Sequence, residues 1–121
     1  MTIGGTDYGT RSPAQSVVDE PRRWTAMGVS LARSVQTLDF GGTEQDVPVF
    51  FQLMTEANKN TLKSYLMSTV KPYGVVAITP DSGDDLGIGA SGSVSLIFMN
   101  FKAQWVYGTS WDVSLLFRRY T

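Results

Sequence analysis

The 121-residue sequence contains neither cysteine nor histidine. Without thiols the chain cannot form a disulfide or supply a thiolate nucleophile. The absence of cysteine is compatible with both oxidising and reducing compartments, so it does not indicate where the protein is located. Without imidazole it cannot build the serine–histidine or cysteine–histidine arrangements of most hydrolases, and the usual zinc ligands are missing. We therefore expect a protein that is not an enzyme and that holds neither a cofactor nor a metal ion.

The chain also has little net charge and no long run of apolar residues. The chain has 10 Lys and Arg residues against 11 Asp and Glu residues, which gives a formal net charge of -1. Such a chain offers no broad basic field to nucleic-acid phosphates or anionic lipids. No apolar run approaches the roughly 20 residues of a membrane-spanning helix, and the first residues do not resemble a signal peptide. We expect no membrane partner, no specific nucleic-acid partner and synthesis for the cytoplasm.

Enough hydrophobic side chains are present to build one folded domain, since they make up 42% of the chain. Residues 1–22 differ from the rest because Gly, Ser, Thr and Pro dominate there, which predicts an extended N-terminal arm ahead of a β-rich domain at 23–121. We expect this arm to lie on an adjacent subunit, with apolar side chains in shallow pockets and arginines paired with carboxylates. The residues expected at this interface are Ile3, Tyr8, Arg11, Val17, Val18, Arg22 and Arg23.

Alternation of apolar and polar residues predicts that the domain is mainly β. Two strands are expected between Arg23 and Phe40, followed by a break at Gly41–Gly42. Further strands are expected at Val47–Met54 and Tyr73–Thr79.

The longest predicted strand is Val94–Tyr107, and a final strand covers Trp111–Phe117. Within the first of these, the apolar positions change parity midway, which indicates either a bulge near Asn100 or a strand covered on both faces.

One helix is predicted at about 55–69. Thr55 offers an N-cap hydroxyl, and Leu62 and Leu66 recur on one face. Pro72 disfavours helical geometry at the residue before it, so the helix should end near Thr69 or Val70. Together these elements predict a mainly β (α+β) fold, an antiparallel barrel or sandwich flanked by one short α-helix.

Two loops contain residue patterns that are found at ligand sites in other proteins. Asp81, Asp84 and Asp85 could hold a Ca²⁺ ion with loop carbonyls, but Asp and Gly are also what turns require, and we interpret the cluster as a solvated turn. Gly87–Gly92 spells G-x-G-x-x-G. That motif binds a dinucleotide only where a helix follows, and here a strand is predicted instead, so we interpret it as a loop.

Aromatic residues are the remaining candidates for a binding site. Such residues at strand spacing usually belong to a core or a subunit interface, and a sugar-binding platform is the alternative. The set consists of Trp24, Tyr65, Tyr73, Trp105, Tyr107 and Trp111.

From Val35 onward the order of elements resembles the minor tail proteins of long-tailed bacteriophages, which belong with the distal tail proteins that join tail tube to tip. The matching points are Leu38–Gly42, the Val47–Leu53 strand, the helix from Thr55 with Leu62, Tyr65 and Leu66, the Gly74 strand running into Thr79-Pro80-Asp81, the Trp105 strand and the Trp111–Phe117 strand. The stretch after Phe40-Gly41-Gly42 departs from the resemblance, because it lacks the expected aromatic and basic residues.

The resemblance implies a structural subunit that assembles with identical copies into a ring around the tail lumen. Its partners would be those copies and neighbouring tail proteins, and its place would be the virion tail, assembled in the host cytoplasm. Tail-tube and tail-terminator subunits share the general architecture and remain alternatives. A carbohydrate-binding β-sandwich and an enzyme that uses acidic residues alone are alternatives of other classes.

Overall fold

A computed structural model describes residues 1–12, 22–29 and 35–120, and it describes side chains for 1–12 and 43–120. The elements in chain order are β1 Thr2–Ile3, β2 Thr6–Asp7, β3 Arg22–Val29, β4 Val35–Thr55, α1 Glu56–Ser64 with a π-helical continuation at Tyr65–Val70, β5 Val75–Thr79, β6 Val94–Tyr107 and β7 Ser110–Tyr120.

All seven strands form one sheet in the order β2-β1-β5-β6-β7-β4-β3, and every pairing is antiparallel. The prediction of a mainly β fold with one helix is confirmed. The described strands make an open sheet with β2 and β3 at its edges. The sequence predicts a barrel or a sandwich, and the arrangement of the described strands is neither. Within the described part of the chain, no helix has the length and apolar character needed to cross a membrane.

The core lies on one face of the sheet, where β7 alternates as its sequence predicts. Val113, Leu115 and Phe117 are buried on that face, and the Phe117 ring packs 6.1 Å from the ring of Phe98 on β6. The register between these two strands shifts between Phe98 and Asn100. The predicted bulge near Asn100 is therefore confirmed, and it keeps apolar residues facing the core after their parity changes.

The predicted break at Gly41–Gly42 is wrong, because β4 runs without interruption through both glycines. Against β3, the pairing steps from Thr25 with Asp39 directly to Arg23 with Thr43. The glycine pair therefore lies in a bulge within the strand. Glycine suits such a bulge because it has no Cβ to restrict the backbone. The two glycines that predicted the end of a strand therefore lie at a bend within a longer one.

Helix α1 begins as predicted, with the Thr55 hydroxyl accepting a hydrogen bond from the Asn58 amide at 3.3 Å. Leu62 and Leu66 are completely buried against the sheet. The helical segment ends at Val70, which confirms the predicted end, although its last six residues have π-helical geometry that the sequence pattern did not indicate. Gly74 follows closely, and a Cβ at that position would overlap the carbonyl oxygen of Val70.

The first twelve residues belong to the body of the domain. β1 pairs with β5, with Ile3 opposite Ile78, and the side chains of Met1, Ile3 and Tyr8 are buried in the core. The prediction of an extended arm is therefore wrong for residues 1–12. Met1, Ile3 and Tyr8, the large apolar side chains of residues 1–12, close one end of the chain's own core.

Candidate interaction surface

The seven interface residues predicted from sequence fall into four groups. Ile3 and Tyr8 are 1% and 7% exposed in the core, so the prediction that they anchor on an adjacent subunit is wrong. Val17 and Val18 lie outside the described residues. Arg22 and Arg23 lie in β3, opposite Glu44 and Thr43 of β4, and their side chains are outside the described set. For these last four residues the interface stays a prediction.

Arg11 also binds within its own chain. Its Nε and Nη2 atoms donate to the two carboxylate oxygens of Asp84, at 2.6 and 2.8 Å, and Asp84 Oδ1 also accepts from the Leu86 amide at 2.9 Å. The hydrogen bond from Arg11 is the main reason that the pKa of Asp84 lies below its usual range, against the opposing effect of partial burial. This bidentate pair fastens the N-terminal segment to the loop between β5 and β6.

The interpretation of the acidic cluster as a solvated turn therefore needs correction. Asp84 is mostly buried in its pair with Arg11, and Asp81 Oδ1 accepts from the Met1 ammonium at 2.7 Å. Asp85 is exposed and accepts from the Gly87 amide at 2.9 Å. Among the residues whose side chains are described, no group of three or more acidic side chains is placed to hold a metal ion.

We expect Asp84→Asn to lower the free energy of unfolding at pH 7 by about 1 kcal/mol, because it removes a partly buried charged pair. The pKa of Asp84 is depressed in the folded state, so its contribution is complete above the unfolded value of about 3.9 and disappears as pH falls through the folded value. Urea unfolding between pH 7 and pH 2 checks this, and the variant should lose less stability on acidification than the wild type.

Asp85→Asn is the matched control, because an asparagine Oδ1 can still accept from the Gly87 amide and the side chain is exposed. Equal pH profiles for the wild type and Asp84→Asn would show that the pair with Arg11 does not form in solution.

The glycine-rich stretch is a loop, as interpreted from sequence. Gly87, Gly89 and Gly92 all have positive φ, and the chain continues from them into β6, not into a helix. Leu86, just before them, is buried in the core, and Arg119 donates to the Ile88 carbonyl at 2.9 Å. The loop therefore covers one end of the core.

Exposed apolar side chains gather at the far end of the β6–β7 hairpin. We call this surface the hairpin tip, and it consists of Trp105, Val106 and Tyr107. Trp105 and Tyr107 are 58% and 60% exposed. The Trp105 indole donates to the Gly108 carbonyl at 2.9 Å, so the hairpin turn holds its side chain. Leu53 is at a bulge in β4 and has a φ of 56°, with its amide donating to Asp112 Oδ1 at 3.1 Å.

A second exposed apolar patch lies near the other end of β6. It consists of Tyr73 and Val75, which are 72% and 64% exposed, and we call it the Tyr73 patch. Val75 pairs with Ile97, ten residues before Tyr107 on β6. At about 3.3 Å per residue, the two patches are therefore roughly 33 Å apart along the strand.

The six aromatic residues singled out in the sequence do not form one platform. Trp105 and Tyr107 are at the hairpin tip, Tyr73 is at the opposite end, and Tyr65 is beside Gly4. Trp111 is half-buried beneath Lys59, and the Trp24 side chain lies outside the described set. Parity along β6 predicted that Trp105 and Tyr107 face the same side as Phe101. The pattern did not indicate that the buried core ends before these two residues.

A polar cleft of about 250 Å³ lies on the face of the sheet opposite the core. It is lined by Phe50, Lys102, Gln104, Asp112 and Ser114. Its side chains can accept and donate hydrogen bonds beside an aromatic ring.

No family model, curated protein or solved structure matches this chain.

Proposed function

We propose that this chain is a non-enzymatic structural subunit of a bacteriophage tail, a distal tail or baseplate-adaptor ring component that joins the tube to the tip. The proposal starts from the resemblance of the elements after Val35 to minor tail proteins. Identical copies of the chain and neighbouring tail proteins are its partners, and the virion tail is its location.

The observation that carries this proposal is the presence of two different exposed apolar patches at opposite ends of one long strand. The hairpin tip and the Tyr73 patch differ in composition and are roughly 33 Å apart by the rise of a β-strand. Large exposed apolar patches commonly mark interaction surfaces. Two dissimilar patches suit a head-to-tail contact between copies, and such contacts form a ring when the rotation between subunits closes.

The sheet also offers backbone groups for pairing with another chain. β3 is an edge of the sheet, and within the described residues β6 beyond Phe98 pairs only with β7. Unpaired edges bind extended segments through main-chain hydrogen bonds. A ring subunit can use such an edge to hold its neighbour, and this supports the assembly role.

Tail-tube and tail-terminator subunits are alternatives within the same proposal, since both assemble as rings. Neighbouring genes separate them from a distal tail protein. Genes for a tape-measure protein and tail-tip proteins beside this one would favour the distal position. A neighbourhood without any tail genes would contradict the proposal.

The polar cleft favours one candidate from another class, a carbohydrate-binding domain. Phe50 supplies an aromatic surface, and Gln104 and Asp112 supply an amide and a carboxylate beside it. Binding of a glycan panel, abolished by Gln104→Ala and unaffected by Tyr107→Ser, would support this second function. Failure of every glycan to bind would remove it.

We expect the double variant Trp105→Ser/Tyr107→Ser to weaken self-association at least tenfold, because truncating aromatic anchors commonly costs 1–2 kcal/mol or more. Its melting temperature should be nearly unchanged, because both side chains are exposed in the monomer. Sedimentation velocity over a range of protein concentrations gives the association constant.

Asn100→Ser is the control, because it changes an exposed polar residue on the same strand. If the wild-type protein associates and the double variant associates equally well, the hairpin tip is not part of the contact.

A further inference from the structure

A groove of about 410 Å³ runs between helix α1 and strand β6, and we call it the lysine groove. Lys59, Lys63 and Met67 line its helical side at spacings of four residues, which places them on one face. Phe101, Lys102 and Trp111 line the side of the sheet. The groove therefore has an apolar, partly aromatic floor and two ammonium groups, those of Lys59 and Lys63, along its helical side.

The apolar floor is not fully covered within the described chain. Met67 is 44% exposed, and Lys59 Nζ lies 4.0 Å from the centre of the Trp111 ring, where the cation is attracted to the aromatic face. The indole nitrogen of Trp111 is buried and has no hydrogen-bond partner among the described residues. An unpaired buried donor is costly, and an occupant with carbonyl or carboxylate oxygens would supply an acceptor.

The charge of the groove selects the kind of occupant. No carboxylate of the described residues lines it, so the ammonium groups of Lys59 and Lys63 produce a positive potential over an apolar surface. A segment that combines aliphatic side chains with adjacent carboxylates complements both properties. The sequence contains such a segment at Val17-Val18-Asp19-Glu20, with two apolar residues directly followed by two acidic ones.

We propose that the lysine groove binds residues 17–20 of a second copy of this chain. Val17 and Val18 contact the floor formed by Phe101 and Trp111, and the two carboxylates pair with the lysines. This inference rests on the proposed self-assembly and names the contact that each copy offers the next.

The chain between Ser12 and Arg22 is too short to bring residues 17–20 to the groove of the same copy, so a second copy must supply them. The Ser12 amide donates to the Phe50 carbonyl, and Arg22 pairs with Glu44, so both flanks are held on β4. Six residues of β4 separate these points, about 20 Å, whereas ten extended residues reach about 35 Å. The chain between them can depart from that line by roughly 14 Å at most.

The groove lies beyond that reach. Its floor is formed by β6 and by Trp111 of β7, so β7 and β4 lie between its β6 wall and the edge where Ser12 and Arg22 are attached. Three strand spacings already amount to about 14 Å, and helix α1, about 10 Å across, packs on β4 and β7 in between. The segment therefore reaches the groove of a neighbour and not its own.

A synthetic peptide of residues 14–21, labelled with fluorescein, tests the contact directly. Fluorescence anisotropy should show saturable binding to the full-length protein that weakens as salt rises, because the carboxylate contacts are screened. Lys59→Gln/Lys63→Gln should weaken binding at least tenfold, and so should a peptide with Asp19→Asn/Glu20→Gln. Lys71→Gln, at an exposed lysine outside the groove, is the control and should bind normally.

A charge exchange within the full-length protein provides the second measurement. Lys63→Glu and Glu20→Lys should each weaken self-association in sedimentation velocity, and the double variant should restore it. If the wild type associates, neither substitution changes its association and the peptide does not bind, then the groove is not the contact between copies. Self-association would in that case be attributed to the hairpin tip. If the wild type stays monomeric at all concentrations and no peptide binds, both proposals fail.

Discussion

Leu66→Ala is expected to lower the free energy of unfolding by about 2–5 kcal/mol. Leu66 is completely buried, and with Leu62 it fixes the helical segment on the sheet. Truncation removes the transfer free energy of three carbon atoms and leaves a cavity that the strands cannot fill without distorting their hydrogen bonds. Urea denaturation followed by circular dichroism measures the loss.

Met67→Ala is the matched control, since it truncates the next residue of the same helical segment at a position 44% exposed. We expect its effect to stay below about 1 kcal/mol. A loss below about 0.5 kcal/mol for Leu66→Ala would show that this helical face does not belong to the core, and the description of the fold would fail at its only described helix.

Deleting residues 1–8 is expected to unfold the domain or to remove about 5 kcal/mol or more of its stability. The deletion takes Met1, Ile3 and Tyr8 out of the core and strips β1 from β5. Each large apolar side chain contributes roughly 1.5–3 kcal/mol when it is buried, and a domain of this size is stable by only about 5–15 kcal/mol. Thermal unfolding and near-ultraviolet circular dichroism measure the outcome.

Thr10→Ala, at an exposed position in the same segment, should change stability by less than about 0.5 kcal/mol. If the deleted protein keeps its native spectrum and melting temperature, the segment is not part of the core, and the predicted arm applies to these residues after all.

Local patterns made the central part of the fold predictable. The alternation along β7, the change of parity near Asn100 and the spacing of Leu62 and Leu66 each depend on residues a few positions apart. These periods follow from the geometry of a strand and a helix, so one sequence is enough to detect them.

Contacts between distant residues could not be predicted in the same way. β1 has only two residues, and no periodicity in two residues indicates that Ile3 pairs with Ile78. The pairing of Arg11 with Asp84 joins residues 73 positions apart, and a bidentate ion pair has no local sequence signal. Residues 1–12 are short of apolar side chains because they add only Met1, Ile3 and Tyr8 to a core built mostly by other elements.

The candidate surface was predictable only in part. The sequence indicated Trp105 and Tyr107 as aromatic residues on one strand, but it did not indicate the register shift between them in their pairing with β7. Their exposure depends on where the core ends, which is a property of packing and not of the strand. The lysine groove combines helix positions with β6 positions, and their closeness becomes visible only once the helix is placed on the sheet.

The position of β7 in the sheet sets the order in which the chain can complete its structure during synthesis. β7 is made after all the other described strands, yet it lies between β6 and β4 and pairs with both. Until it leaves the ribosome, β3–β4 and β5–β6 are separate pairs whose inner edges are open to other chains. Nascent chains on a crowded polysome should therefore depend on chaperones until residue 120 has emerged, because the strand that joins the two halves arrives last.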